Sequence, residues 1–415
     1  MSDIGRRLAK TSERPQLPWH FTVVDQPVVN AFAVPGGFIY ITRGILAYLD
    51  SEAQLVGVLG HEIGHVTARH SAQQYTRTLG GTIGLLALGI FVPAARPFGQ
   101  LSEQALGLLF LKYGRGDELQ SDSLGAKYAA ANGWDPRGVP QFLATLARMR
   151  EGSEKGIPNW LSTHPDPASR VNEVQAIVQK AAAGRTDFIV ERDGYLRRID
   201  GMIFGDNPEQ GIVRGNAFLH PPLRFRIDYP RGWEIQNSPQ QVVAKAPNAD
   251  VYILLQLIQK PQGRNIQDVA LASMQQAGFV ARDGQRTTIN GLDAFVGVYQ
   301  GQLEGLGTVA SRAAHIAHNN QVYLLAGLTP VQLFEQADGA VLQTIRSFRP
   351  LSAAEAESIH PNRVDLYTVR PGDTWQAIAE RSGGVVDAQT LAVMNNAQTG
   401  SQPQPGARVK IVVSG

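Results

Sequence analysis

Apolar positions along the first half of the chain recur mostly at helical spacing. Over residues 51–76, Leu55, Val56, Leu59, Ile63 and Val66 share one side of a helix. Ser51, with Gln54 three residues on, has the form of a capping box at its start. Before it, β-rich runs at 21–25 and 38–42 flank a Pro35-Gly36-Gly37 turn. Helical patterns return at 101–132, where Gly133 and Pro136 mark the end, and again at 137–150 and 167–183. The last of these opens with Asp166 as cap and Pro167 at the first helical position. From residue 186 the texture changes. Residues 186–219 read as a linking region, and β-rich runs follow at 222–229, 251–258, 293–300, 307–316 and 321–327. Helical patterns near 264–277 and 330–346 interleave with them, and Asn319-Asn320 suits a hairpin turn. Residues 365–415 have their own Pro/Gly punctuation. The expected fold class is α+β and multidomain. A mainly helical domain with a small sheet spans 1–200, a linker 201–219, an α+β domain 220–350, a second linker 351–364 and a small module 365–415.

Composition narrows the class. A hydrophobic share of 43% and a charged share of 18% suit a globular chain with real cores. The 38 basic and 36 acidic residues leave a formal net charge of +2, with no dense Lys/Arg run, which argues against nucleic acid as a partner. There is no cysteine, so disulfides, thiolate-bound zinc and thiol catalysis are excluded. The N-terminal MSDIGRRLAK holds no apolar run of the signal-peptide kind. Residues 78–95 form an uncharged stretch of 18 residues, at the lower edge of a membrane span. Its four glycines and Pro93 favour a lid over the cleft or a segment that touches a membrane surface.

The chemistry concentrates in GHEIGHV, residues 60–66. Four residues apart on a helix, His61 and His65 present both imidazoles to one ion, while Glu62 reaches a bound water without being a ligand. A third protein ligand is required. The position six residues after His65 is Ser71, and a helix continued to His70 would turn that histidine away. GDELQSD, residues 116–122, offers Glu118 and Asp122 on one helix face: one to ligate, the other to orient an imidazole from behind. His315 and His318 sit at a strand end, where a surface hairpin accounts for them.

The pieces NAFAVPGGFIYITRGIL (30–45), GHEIGHVTARH (60–70), ELQSD (118–122), GWDP (133–136) and STHPDPASR (162–170) occur in this order, and together they resemble the HtpX and CAAX-prenyl-protease family of zinc metallopeptidases, soluble periplasmic type. The resemblance covers about residues 15–183. Where the family usually has E-x-E-A-D or E-x-Q-A-D, this chain carries Gln120 and Ser121 between its glutamate and aspartate. The resemblance implies a gluzincin-type domain with one Zn2+ per chain, His61, His65 and Glu118 as ligands and Glu62 as general base. His164, just before a helix N-terminus, is expected to contact the metal or stabilise the oxyanion, and Arg170 to hold an acidic partner. Asn30, Ala31, Phe32 and Ala33 are expected to bind substrate by strand addition.

Residues 367–383, 391–396 and 405–411 are similar to a LysM domain, with strand, PGDT turn, helix, asparagine and closing strand in order, and the resemblance implies a small βααβ module. LysM modules bind glycans containing N-acetylglucosamine, and the resemblance places Gly372, Asp373, Thr374 and Asn395 near the glycan groove. Together these features suggest a zinc endopeptidase of the bacterial periplasm, acting on misfolded or stalled envelope proteins near peptidoglycan. The alternative is a latent, zinc-containing chaperone or scaffold bound to the cell wall.

Overall fold

A computed structural model describes all residues except 71, 74–111, 152–159, 161–162, 304–305 and 399. The expected lid at 78–95 lies outside the described residues, as does most of the helical pattern before 112. Among the described residues no helix is long and apolar enough to cross a membrane. The chain forms two compact units. Of the described residues, one takes in those up to Asn207 and again those from Pro361 to Gly415, and the other holds those of Pro208–His360.

In the first unit, helix α1 (Ser2–Lys10) precedes a three-stranded sheet of β1 (His20–Val24), β2 (Ala31–Val34) and β3 (Phe38–Thr42). The order is β1-β3-β2, with β1 parallel and β2 antiparallel to β3, so β2 lies at an edge. After the short α2 (Arg43–Leu46) comes α3 (Glu52–Thr67), whose first turn is capped by Ser51 Oγ accepting from Gln54 N at 3.2 Å. Every residue of α3 from Ala53 to Thr67 is buried, which marks it as the central helix of the unit. Around it pack α4 (Arg115–Ala131) and α5 (Gly138–Glu151), with α6 (Pro167–Ala181) against both of these. Asp166 caps α6 in the left-handed region (φ 59°) and Pro167 is its first residue.

Helix α3 stops at Thr67, nine residues short of the expected end at 76. Ala68 N closes the last turn on Gly64 O, and Arg69 at φ 64° bends the chain back.

The C-terminal module has the expected βααβ order. Strands Arg363–Thr368 and Arg408–Val413 pair antiparallel, with helices Trp375–Arg381 and Ala388–Met394 between them. It shares one apolar core with the helices before it: Leu59 and Ile63 of α3 belong to the same cluster as Trp375, Leu391 and Val409. Lys410 is fully buried, and its ammonium donates to Leu49 O beside Asp50, 3.9 Å away. Burial pushes this amine down to about 8, with Asp50 opposing. Arg192, on helix α7 (Arg192–Ile199), bonds both oxygens of Asp50 and donates to Arg408 O at 2.9 Å.

The second unit is α+β. Its seven-stranded sheet runs in the order Val280–Ile289, Leu292–Leu303, Gly307–His318, Gln321–Pro330, Tyr252–Leu257, Gln241–Lys245 and Glu234–Asn237. Asn319 and Asn320, both at positive φ, form the predicted turn. A surface hairpin does not describe its histidines. His315 is fully buried with Nε2 2.6 Å from Ser273 Oγ, and His318 is buried with Nε2 on the carbonyls of Leu223 and Arg224.

Candidate metal centre

The site grows from the close approach of α3 and α4. A Cβ on Gly60 would lie 2.9 Å from Gly125 Cα, and one on Gly64 would lie 3.0 Å from Ser121 Cα. Only glycine lets the two backbones meet at this distance. The glycines that weaken α3 as an isolated helix therefore bring Glu118 and Asp122 under the two histidines.

Ligand-type atoms of His61, His65, Glu118 and His164 all lie within 4.8 Å of one another, and all four residues are buried. His61 Nε2 is 3.0 Å from His65 Nε2 and 3.7 Å from Glu118 Oε2, and His65 Nε2 is 3.4 Å from Glu118 Oε1. His164 Nδ1 sits 2.8 Å from Glu118 Oε1 and 3.3 Å from His61 Nε2. Its ring stacks on Trp160 with centroids 4.3 Å apart, so it both packs on the tryptophan and faces the cluster.

Asp122 and Arg170 stand behind this group. Asp122 Oδ1 is 2.8 Å from His61 Nδ1. Arg170, fully buried, donates to both oxygens of Asp122 at 2.9 and 2.8 Å, and also to Glu118 Oε2. Burial works against ionisation of both carboxylates. The His164 and Arg170 charges nonetheless hold Glu118 well below the usual range, and Arg170 with His61 holds Asp122 below it. Burial lowers His65 well below its ordinary value. In His61 the same effect is outweighed by Asp122, which raises it.

Glu62 is 1% exposed, and neither of its carboxylate oxygens has a hydrogen-bond partner. Burial raises its pKa. Glu118 and Asp122 share the one buried guanidinium of Arg170, and Glu62 Oε1 lies 3.8 Å from His164 Nε2. Orphaned carboxylate oxygens and an excess of buried negative charge are what a divalent cation compensates. Two imidazoles and a carboxylate are donors that suit zinc. The residues present fit the group.

Residues 1–178 match peptidase family M48, and residues 367–412 match the LysM domain. This bears out the resemblance read from the motifs. The chain is 28% identical over 320 residues to the beta-barrel assembly-enhancing protease of Yersinia pestis, covering 71% of this chain and 64% of that one. Mitochondrial metalloendopeptidase OMA1 of Arabidopsis thaliana is 33% identical over 187 residues, covering 43% and 37%. The beta-barrel assembly-enhancing protease of Escherichia coli (strain K12) is 31% identical over 185 residues, covering 42% and 37%. The chain thus spans less than two thirds of the length of each of these relatives.

Three residues of the centre went unmarked as such in the sequence. Tyr113 stacks on His65 with centroids 3.9 Å apart, and Trp160 lies 5.6 Å from His61. His70 does not face away. It is buried, with Nδ1 3.1 Å from His65 Nδ1, because the chain leaves the helix at Arg69. Asn30, expected at the substrate edge, is buried with an unpartnered Oδ1. Ala31, Phe32 and Ala33 beside it are 1%, 6% and 4% exposed.

In the LysM domain, Asp373 accepts from Tyr367 OH, Arg370 N and Arg381, Thr374 caps the helix that follows, and Asn395 bridges Lys410 N and O. The side chains of these three residues brace the turns around the expected groove. Gly372, exposed at φ 85°, leaves its backbone open to solvent.

Proposed function

We propose that the chain is a zinc-dependent endopeptidase of the bacterial periplasm that hydrolyses peptide bonds in misfolded or stalled envelope proteins. The observation that carries this reading is Glu62: a buried carboxylate with no hydrogen-bond partner, on the same helix as two clustered imidazoles. Zinc held by His61, His65 and Glu118 supplies a Lewis acid that polarises the scissile carbonyl and acidifies a water. Glu62 takes the proton of the attacking water and hands it to the leaving amine. Asp122 fixes His61 through Nδ1, and Arg170 fixes Asp122 and Glu118. Substrate pairs with β2, where Asn30 Oδ1, buried and without a hydrogen-bond partner, would accept from a peptide N–H once uncovered. Because Ala31 to Ala33 are buried, the strand edge must be uncovered before a peptide adds to it. The LysM domain binds peptidoglycan through the backbone around Gly372 and the loop near Asn395, which keeps the peptidase at the cell wall.

One observation favours a second reading. With His164, four protein donors converge, the number found in closed zinc sites. The resting chain is then a latent scaffold or chaperone, active only when His164 withdraws. One experiment tests both readings: casein hydrolysis by wild type, Glu62→Gln and His164→Ala, with zinc content measured for each. The endopeptidase reading expects wild type to cut, and Glu62→Gln to keep its zinc while losing about 10²–10⁴-fold in rate. An inert wild type beside an active His164→Ala identifies the latent form. Zinc in all three with no cleavage in any would end the protease reading.

A further inference from the structure

We infer that His70 is a positioning residue that sets the tautomer and orientation of His65. This rests on the zinc reading above. His70 is 3% exposed and lies beyond the end of α3, turned back by Arg69 at φ 64°. Its Nε2 faces two acceptors, Gln120 Oε1 at 3.1 Å and Asp117 Oδ1 at 3.7 Å. A ring nitrogen between acceptors carries the proton, so Nε2 is the donor and Nδ1 of the neutral ring accepts. That Nδ1 lies 3.1 Å from His65 Nδ1, with Ser121 Oγ at 3.3 Å from it. Two nitrogens at hydrogen-bond distance share one proton, and His65 Nδ1 must hold it. The lone pair of His65 is thereby left on Nε2, the nitrogen that faces His61 Nε2 at 3.0 Å and Glu118 Oε1 at 3.4 Å.

The direction of every proton in this chain follows from the Gln120 carbonyl at its outer end. His61 reaches the same state by another route, through the Asp122 carboxylate at 2.8 Å. One histidine of the pair is therefore steered by a charged group and the other by a neutral imidazole. A metal-binding histidine needs such a partner on its second nitrogen to present the first one squarely. His70 touches neither substrate nor metal in this scheme and acts only through His65.

The test is zinc affinity by chelator competition, with the visible spectrum of the cobalt-substituted protein, in the full chain. Variants are His70→Phe, His70→Asn and Gln120→Leu, each checked by thermal unfolding of the metal-free form. His70→Phe is expected to weaken zinc about 10–100-fold and to shift the cobalt bands. His70→Asn, whose Oδ1 takes the place of Nδ1, is expected to restore most of both. Gln120→Leu, at an exposed position, is expected to move affinity in the same direction by less, and it carries the test if His70→Phe does not fold. Zinc affinity and cobalt spectrum unchanged in His70→Phe, or in Gln120→Leu should that variant stand in for it, would overturn the inference, as would an Asn variant no better than Phe. Failure of the wild type to bind zinc stoichiometrically would instead overturn the metal reading itself.

Discussion

Arg170 shows how much of the centre depends on one side chain. It is fully buried and is the partner of both Glu118 and Asp122. Arg170→Met leaves two buried carboxylates without their cation. The expected cost is roughly 3–5 kcal/mol of stability in the metal-free protein. Zinc should restore part of it by neutralising the same charge, which urea unfolding with and without metal would measure. A metal-free variant as stable as the metal-free wild type would show that the ion pair contributes nothing net. From its place one turn into a helix, Arg170 was expected to hold an acidic partner, but which one, Glu118 and Asp122 together, came only from the structure. His70 was not legible, because the helical pattern runs on past Thr67 while the backbone leaves the helix at Arg69. A residue's facing extrapolated along a helix holds only while the helix does.

At the scale of elements, the pairing of α3 with α4 decides the geometry. Gly64→Ala sets a methyl group 3.0 Å from Ser121 Cα, in an α4 whose preceding turn holds Glu118. Backbone cannot yield as a side chain does, so the helices must part. A shift near 1 Å at a catalytic group costs about 100-fold in rate. Gly64→Ala is expected to lose activity on that scale with its far-UV circular dichroism retained, and an enzyme of near-wild-type rate would refute the packing argument. The element pattern itself was readable wherever one face is buried. The helices at 115–131, 138–151 and 167–181 fall within or close to the periodic segments that predict them. Strand Val280–Ile289 escaped because nearly all of its residues are exposed, so no alternation of apolar and polar positions marks it. The strands at 234–237 and 241–245 are too short to rise above a loop in composition.

At the scale of the whole molecule, the second unit carries an acid sensitivity of its own. In the second unit His220 and His315 are both lowered to about 4 by burial. Between the ordinary histidine value and 4 the unfolded chain takes up protons that the folded unit refuses. Stability is therefore full above about pH 6.5 and falls as pH drops toward 4. For His315, fully buried, the loss reaches about 3 kcal/mol. Calorimetry of the full chain from pH 7 to 4 should show it, and His315→Gln should flatten that limb for the transition of this unit. An unchanged pH dependence in the variant would assign the acid loss elsewhere.

Composition, periodicity and local motifs determined the fold class, the helix that bears His61, Glu62 and His65, the carboxylate pair at Glu118 and Asp122, and the βααβ order of the LysM domain. All of these are set by spacings within a few turns of chain. Only the tertiary structure decided that His70 turns toward the cluster, since that depends on a backbone reversal at a left-handed residue, Arg69. It alone decided that LysM shares the core of the peptidase unit, with Lys410 buried against Leu49 and Asp50. A lysine in an alternating strand reads as a solvent-facing residue. Its burial depends on a carbonyl and a carboxylate more than 350 positions earlier in the chain, and no local pattern carries that distance.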